Sequence, residues 1–303
     1  MPNEVLEYLQ PRPGGVYIDG TLGGAGHAGL ILEKTSPDGR LIGFDRDPEA
    51  LATATERLAR FGERFEAVHA NFSEAAHQLG QRGIDRVDGM LLDLGVSSWQ
   101  LDSAARGFSF REDGPLDMRM DPTVGESAAD VVNGLDEQDL AEIFFRLGEE
   151  RYSRRIARKI VQRRSDQPFS TTLELAELVR DAVPRGHVPS RIHPATRVFM
   201  ALRIHVNREL EHVEQGVKQG IELLRPEGRL VVISFHSLED RLVKNIFREA
   251  ARTCVCPPEF PVCACNTEPQ LKVLTRKAVK ATDDEVAANS RSRSAILRAA
   301  ERL

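Results

Sequence analysis

The sequence predicts a doubly wound α/β fold, a parallel sheet with helices on both faces, interrupted by a mainly helical insertion. Three observations predict it. A short apolar run, Tyr17-Ile18, ends on Asp19 and passes through a glycine-rich turn, Gly20-Thr21-Leu22-Gly23-Gly24-Ala25-Gly26-His27, into a helical pattern. A second apolar run, Leu41-Ile42-Gly43-Phe44, ends on Asp45. Strand and helix patterns then alternate over about the first hundred residues, which implies parallel strands joined by right-handed crossovers. Glycines in such a turn let backbone N–H groups approach a nucleoside cofactor, and an acid after the second strand accepts hydrogen bonds from ribose hydroxyls.

Taken in order, strands are expected at 16–20, 40–45, 65–70 and 87–94. A helix is expected over 48–61, where Asp47 can cap and Pro48 takes the first helical position. From about 101 to 204 the rhythm changes. The stretch 107–122 is rich in Gly, Asp, Arg, Phe and Met without a clear period, and helical patterns follow at 137–147, 152–164 and 172–182. This predicts a helical domain, 104–204, inserted into a discontinuous domain made of 1–103 and 205–303. A long helix near 206–224, a Pro-Glu-Gly turn and the run Leu230-Val231-Val232-Ile233-Ser234-Phe235 resume the first pattern. Two late strands are expected at 272–276 and 294–299.

The 303 residues are 41% hydrophobic and 29% charged, ordinary for a globular protein with ample core. No apolar run approaches the ~20 residues of a membrane helix, and the N-terminus lacks a signal-peptide pattern, so a cytoplasmic location and no membrane partner are expected. A net charge of −5 excludes a polycation, yet 151–164 holds seven basic residues and no acid. Arg151, Arg154, Arg155 and Arg158 share one helical face. That face is either a phosphate-binding surface or a solvated one paired to acids such as Glu149 and Glu150.

Gly24-Ala25-Gly26-His27-Ala28-Gly29 matches the dinucleotide fingerprint, with Asp45 at a suitable distance, which keeps a nicotinamide-dependent oxidoreductase in view. Three features favour S-adenosylmethionine instead. Asp19 closes the first strand where an acid can face the cofactor's amino-acid portion. Asn71-Phe72 ends the third strand with a ring that can lie against adenine. The fourth strand ends in Asp93-Leu94-Gly95-Val96-Ser97-Ser98, at the sheet edge where substrate and cofactor meet.

The motifs Asp19–His27, Phe44-Asp45-Arg46-Asp47-Pro48, Leu91-Leu92-Asp93-Leu94-Gly95-Val96-Ser97-Ser98, Arg106-Gly107-Phe108-Ser109-Phe110 and Gly114-Pro115-Leu116-Asp117-Met118-Arg119-Met120-Asp121-Pro122 occur together here. So do Gly148-Glu149-Glu150-Arg151, His193-Pro194-Ala195-Thr196-Arg197 and Ser234-Phe235-His236-Ser237-Leu238-Glu239-Asp240-Arg241. In these, over nearly its whole length, the chain resembles the RsmH (MraW) family, bacterial 16S ribosomal RNA cytosine-N4 methyltransferases. The family usually carries a His-x-Pro-Val stretch ahead of the region matching Asn3–Leu6, and this sequence does not include it. The resemblance implies a class I S-adenosylmethionine-dependent methyltransferase fold acting on a cytidine in the decoding region of 16S rRNA within the small ribosomal subunit. It implies cofactor contacts at Ala25, Gly26, His27, Asp45, Phe72, Asp93 and Gln100, to which the residue reading adds Asp19 and Gly24. It leaves open a monomer or a homodimer, and a ribosome-assembly factor without turnover remains a competing reading.

Transfer to an exocyclic amine is an in-line displacement that needs hydrogen-bond acceptors for the amine protons and no covalent nucleophile. Asp93 with Ser97 or Ser98 is expected beside the amine, and His236 on the other wall. His236 can alternatively belong to a helix-cap network with Ser237 and Glu239, His27 can be a structural helix-start residue, and Asp19 a turn residue. Trp99, Phe108 and Phe110 can stack on an extruded base or plug a domain seam. The basic helix, with Arg185, Arg191, His193 and Arg197, is expected to hold RNA phosphates. All four cysteines fall in one short segment, as Cys254, Cys256, Cys263 and Cys265, which suits a structural zinc or a loop of reduced thiols.

Overall fold

The computed structural model describes residues 1–184, 193–257, 265 and 267–303. They divide into two compact units, Met1–Gly95 with Leu210–Leu303, and Val96–Glu209. The first unit begins with α1 (Pro2–Leu9), β1 (Val16–Asp19), α2 (Gly26–Lys34), β2 (Arg40–Asp45), α3 (Pro48–Leu58), β3 (Phe65–His69), α4 (Ala75–Gly80) and β4 (Val87–Asp93). The second holds α5 (Ser98–Asp102), α6 (Ala128–Gly134), α7 (Glu137–Arg146), α8 (Ser153–Arg164), α9 (Thr172–Ala182) and α10 (Thr196–Val206). The chain then returns through α11 (Glu209–Leu223), β5 (Leu224–Ser234), α12 (Ser237–Ala250), β6 (Leu271–Val273), β7 (Val279–Lys280), α13 (Asp283–Ala288) and β8 (Ile296–Arg302).

The strands form one sheet in the order β3-β2-β1-β4-β5-β8-β6, with β7 also on β8. β1 to β5 pair in parallel, and β8 runs antiparallel to β5, β6 and β7. Order reverses between β1 and β4, so Asp19 and Asp93 end the two strands that flank the switch point, where α/β sheets bind their ligands. Successive strand residues feed opposite faces. Ile18, Ile42, Met90, Leu92 and Val232 join the core under α4, α11 and α12. Tyr17, Leu41, Leu91 and Val231 join the one under α1, α2 and α3.

Each early strand runs into a helix whose start is written locally. Asp47 accepts the Glu49 N–H at 3.0 Å as N-cap of α3, with Pro48 at the first position. The Pro-Glu-Gly turn is absorbed into the irregular start of β5, where Glu227 sits at φ 64° and the register against β4 shifts. The last strand, β8, inserts between β5 and β6.

The second unit has its own core, built on Leu140, Phe144, Ile156, Ile160, Leu175, Val198 and Leu202. It begins at Val96 and ends at Glu209, against the expected 104–204, because Val96, Leu101 and Val206 pack on that core. No helix among the described residues is long and apolar enough to cross a membrane.

Candidate active site

The glycine turn after β1 is held by the strands around it. Gly20 N–H donates to the Leu91 carbonyl at 2.9 Å and Leu22 N–H to the Phe44 carbonyl at 3.0 Å. Asp19 is buried, and its Oδ1 accepts the Thr21 N–H at 3.1 Å. Thr21 Oγ1 in turn accepts the Asp93 N–H at 2.7 Å, tying the ends of β1 and β4 together. Asp45 accepts Gly23 N–H on one oxygen and Asp47 N–H on the other, both at 2.9 Å. Both oxygens keep a lone pair for a hydroxyl ligand. Ala25 adopts a left-handed φ of 61° to open α2, and a Cβ on Gly26 would meet nothing within 4 Å, so open space lies beside the helix start.

Three carboxylates therefore converge at the carboxyl ends of β1, β2 and β4. Burial pushes Asp19 up to about 7, with Asp93 and Asp45 nearby adding to the shift. Burial likewise pushes Asp93 up to about 7 and raises Asp45. His27, in the first turn of α2, is held neutral by burial, which lowers it to about 4. Its Nε2 lies 3.7 Å from Asp93 Oδ2. Asp93 Oδ1 and His27 Nδ1 are buried without a hydrogen-bond partner. Such orphaned polar atoms are what a site expecting a polar ligand leaves behind.

Phe72 is half-buried and starts a short turn capped by Asn71, whose Oδ1 accepts Ser73 N–H at 3.0 Å. Ser73 Oγ lies 2.9 Å from His212 Nδ1, fixing this turn to α11. Asp19, Gly24, Ala25, Gly26, His27, Asp45, Phe72 and Asp93 thus share one unit and flank the carboxyl edge of its sheet. His236 is in the same unit, 9% exposed, and precedes α12. Glu239 accepts the N–H of Phe235 at 2.9 Å and of His236 at 3.4 Å, and its other oxygen lies 3.2 Å from His236 Nε2. The backbone of His236 is thus capped by Glu239, while both of its ring nitrogens are buried without a hydrogen-bond partner, and Glu239 adds to the upward shift of Asp93.

Ser97, Ser98, Trp99 and Gln100 lie in the second unit. Ser97 caps α5 in a reciprocal box: its Oγ accepts Gln100 N–H at 3.2 Å and Gln100 Oε1 accepts Ser97 N–H at 2.9 Å. Ser98 is exposed and Trp99 is 63% exposed. Phe108, expected to meet a base, is 7% exposed and packs in the core of this unit. Phe110 stacks between His193 at 4.8 Å and Phe199 at 4.7 Å, which commits both rings to packing.

On α8 the basic residues divide in two. Lys159 donates to the Asp181 carbonyl, Arg164 to the Val132 carbonyl, and Arg163 lies over Phe169 and 3.3 Å from Glu174. These three brace the unit. Arg151, Arg154, Arg155 and Arg158 are exposed, and only Arg158 among them has an acidic neighbour among the described residues, Glu137 at 3.4 Å. Arg197, on α10, is exposed and donates to the Glu149 carbonyl at 3.2 Å. Arg185, Arg191 and Cys263 lie outside the described residues. Cys254, Cys256 and Cys265 come together after α12.

Two residues of the site carry no sequence signal of their own. Thr21 is one, since nothing in the glycine turn marks its hydroxyl as the acceptor for Asp93. Gly216, in the middle of α11, is the other, lying against the ring of Phe72.

The family model described as the MraW methylase family matches residues 1–303. A protein of Syntrophotalea carbinolica named ribosomal RNA small subunit methyltransferase H is 62% identical over 303 residues, covering 100% of this chain and 96% of its own. One of the same name from Geobacter sulfurreducens is also 62% identical, covering 100% and 97%. Among solved structures, an rRNA methylase from Streptococcus thermophilus is similar over 100% of this chain and 97% of its own, at 9% identity and a TM-score of 0.44. The parallel sheet with its switch point at the glycine turn is the class I S-adenosylmethionine-dependent methyltransferase architecture the sequence predicted. On the match along all of its residues, the chain belongs to the MraW methylase family.

Proposed function

We propose that the protein transfers a methyl group from S-adenosylmethionine to N4 of a cytidine in the decoding region of 16S rRNA, within the small ribosomal subunit and in the cytoplasm. One observation carries the cofactor: Asp19, Asp45 and Asp93 converge beside the glycine turn. Three clustered carboxylates, Asp19 buried and Asp45 and Asp93 half-buried, suit a ligand with a sulfonium, an ammonium and ribose hydroxyls, and oppose the two phosphate charges of a dinucleotide. The open space at Gly26 and the partnerless Asp93 Oδ1 fit the same ligand. Asp45 would take the ribose, Phe72 the adenine face, and Asp19 with the turn of Gly24, Ala25 and Gly26 the amino-acid portion. The RNA target is supported by the relatives' names and by the basic face of α8.

Bound there, S-adenosylmethionine supplies an electrophilic methyl group on its sulfur. Asp93 accepts a hydrogen bond from the target N4–H, which localises the nitrogen lone pair for attack. With the methyl group transferred from the bound sulfonium to N4, the amine's surplus proton would pass to Asp93, whose raised affinity for protons suits that task near neutral pH. Neutral His27, its Nε2 3.7 Å from Asp93 Oδ2, adds no charge to repel the sulfonium. The helical unit, with Trp99 and the exposed face of Arg151, Arg154, Arg155, Arg158 and Arg197, holds the RNA. Gln100 is a cofactor contact only by the resemblance to the family; its Oε1 accepts the Ser97 N–H in the capping box of α5.

The test incubates small subunits from cells lacking the matching enzyme with this protein and radiolabelled S-adenosylmethionine, then identifies the labelled nucleoside. N4-methylcytidine is the expected product. Label in another nucleoside would overturn the target, and reduced nicotinamide binding in place of S-adenosylmethionine would overturn the cofactor.

A further inference from the structure

Between α12 and β6 the chain makes a long excursion, 251–269, whose base is closed where Gln270 N–H donates to the Ala250 carbonyl at 2.7 Å. A loop of this length needs something to order it. None of the described residues between 251 and 269 is buried, and Val255 is 54% exposed. What the loop has is sulfur. The Sγ atoms of Cys254, Cys256 and Cys265 lie within 4.8 Å of one another, although Cys265 is far along the loop from the other two. No disulfide joins these three sulfurs to one another.

Their geometry is that of a metal corner. A tetrahedral zinc with Zn–S bonds of about 2.3 Å sets its sulfurs about 3.8 Å apart. Cys254 and Cys265 are 3.8 Å apart. The sulfurs also face hydrogen-bond donors: Val255 N–H points at Cys265 Sγ and Cys256 N–H at Cys254 Sγ, each at 3.4 Å, and the Thr267 hydroxyl at Cys265 Sγ at 3.0 Å. Donors around thiolates spread their charge and orient them toward a cation.

We propose that Cys254, Cys256 and Cys265 bind a zinc ion that fastens this loop. Binding exchanges thiol protons for the metal, so uptake releases protons to solvent. The ion is structural, because the sulfurs belong to the loop between α12 and β6 and none belongs to the carboxylate cluster. The inference stands independently of the methyl-transfer reading.

The test uses the full chain purified without added chelator, desalted after incubation with equimolar zinc. About one zinc ion per chain is expected by elemental mass spectrometry, falling below about a tenth in Cys254→Ser and Cys265→Ser. Cobalt in place of zinc should give an intense sulfur-to-cobalt charge-transfer band. Chelating the wild-type protein should speed tryptic cleavage after Arg252 about tenfold, and returning zinc should reverse it. This last arm needs no substitution, so a variant that fails to fold does not blunt it. Wild-type protein holding less than about a tenth of an equivalent, or a zinc content unchanged by both substitutions, would overturn the site. Native mass spectrometry showing two of these cysteines joined as a disulfide in the cell-derived protein would do the same.

Discussion

Gly216 on α11 lies directly against the ring of Phe72: a Cβ built on it would come within 2.6 Å of Cε2 and nearer still to Cδ2. The absent side chain sets where the ring rests. Gly216→Ala should push Phe72 off its seat, at an overpacking cost of about 1–3 kcal/mol. If the ring flanks adenine, calorimetry should show weaker S-adenosylmethionine binding alongside a lower unfolding temperature. A lower unfolding temperature with unchanged affinity would separate Phe72 from the cofactor.

Asp19 is pushed up to about 7 because the ionised form is buried. A carboxyl group raised in this way favours the folded state below the ordinary carboxyl range, and that advantage is lost as pH rises through about 7. Asp19→Asn keeps an oxygen for the Thr21 N–H and cannot ionise. Its ligand-free form should match the wild type near pH 4 and exceed it in stability above pH 7 by on the order of a few kcal/mol. Denaturant unfolding across pH reads this directly, and a constant difference from pH 4 to 8 would contradict it.

The ligand has the opposite preference, because a sulfonium and an ammonium bind the ionised carboxylates. S-adenosylmethionine affinity should therefore rise between pH 6 and pH 8, by up to about tenfold per unit for each carboxylate that must ionise. His27, lowered to about 4, stays neutral throughout that window and contributes nothing to the slope. Asp93→Asn should flatten part of the pH dependence and cut turnover about a hundredfold or more. Retained turnover in that variant would remove Asp93 from the proton's path.

Arg154 and Arg155 are exposed with no acidic neighbour among the described residues, so replacing them with glutamate breaks no ion pair described there. Arg154→Glu with Arg155→Glu should leave S-adenosylmethionine binding intact and weaken RNA binding. The slope of log affinity against log salt should shrink by about 0.7 for each contact to single-stranded RNA that is lost. Filter binding at several salt concentrations measures it, and an unchanged slope would move the RNA to another face.

Much of the sheet was legible. The apolar runs ending in Asp19, Asp45 and Asp93 fall within a residue or so of β1, β2 and β4, since a fully buried strand leaves a short continuous apolar run and its end needs a polar residue. The insertion was legible too, because α7, α8 and α9 keep a 3.6-residue period. α10 was not: in Thr196–Val206 the polar residues Thr196, Arg197, Arg203 and His205 are spread around the helix, which blurs the apolar stripe that would mark it in sequence. In the site, residue type did not reveal commitment. The rings of Phe108 and Phe110 look available for stacking in sequence, yet both are spent on packing. His236 could not be separated from its cap partner Glu239 by spacing alone.

The parallel pairing of β4 with β5, which sets Leu91 beside Val231, has the whole of Val96–Glu209 threaded between its two strands. As the chain leaves the ribosome, β1 to β4 emerge first, and β4 then waits with one open hydrogen-bonding edge while the helical unit is made. An open edge in the sheet's middle invites pairing with the wrong strand. Closing so long a loop as loose chain costs entropy, whereas a unit with a core of its own can collapse first and shorten the search. The insertion thereby sets an order of assembly, in which completion of the sheet, through the pairing of β5 against β4, is the late event.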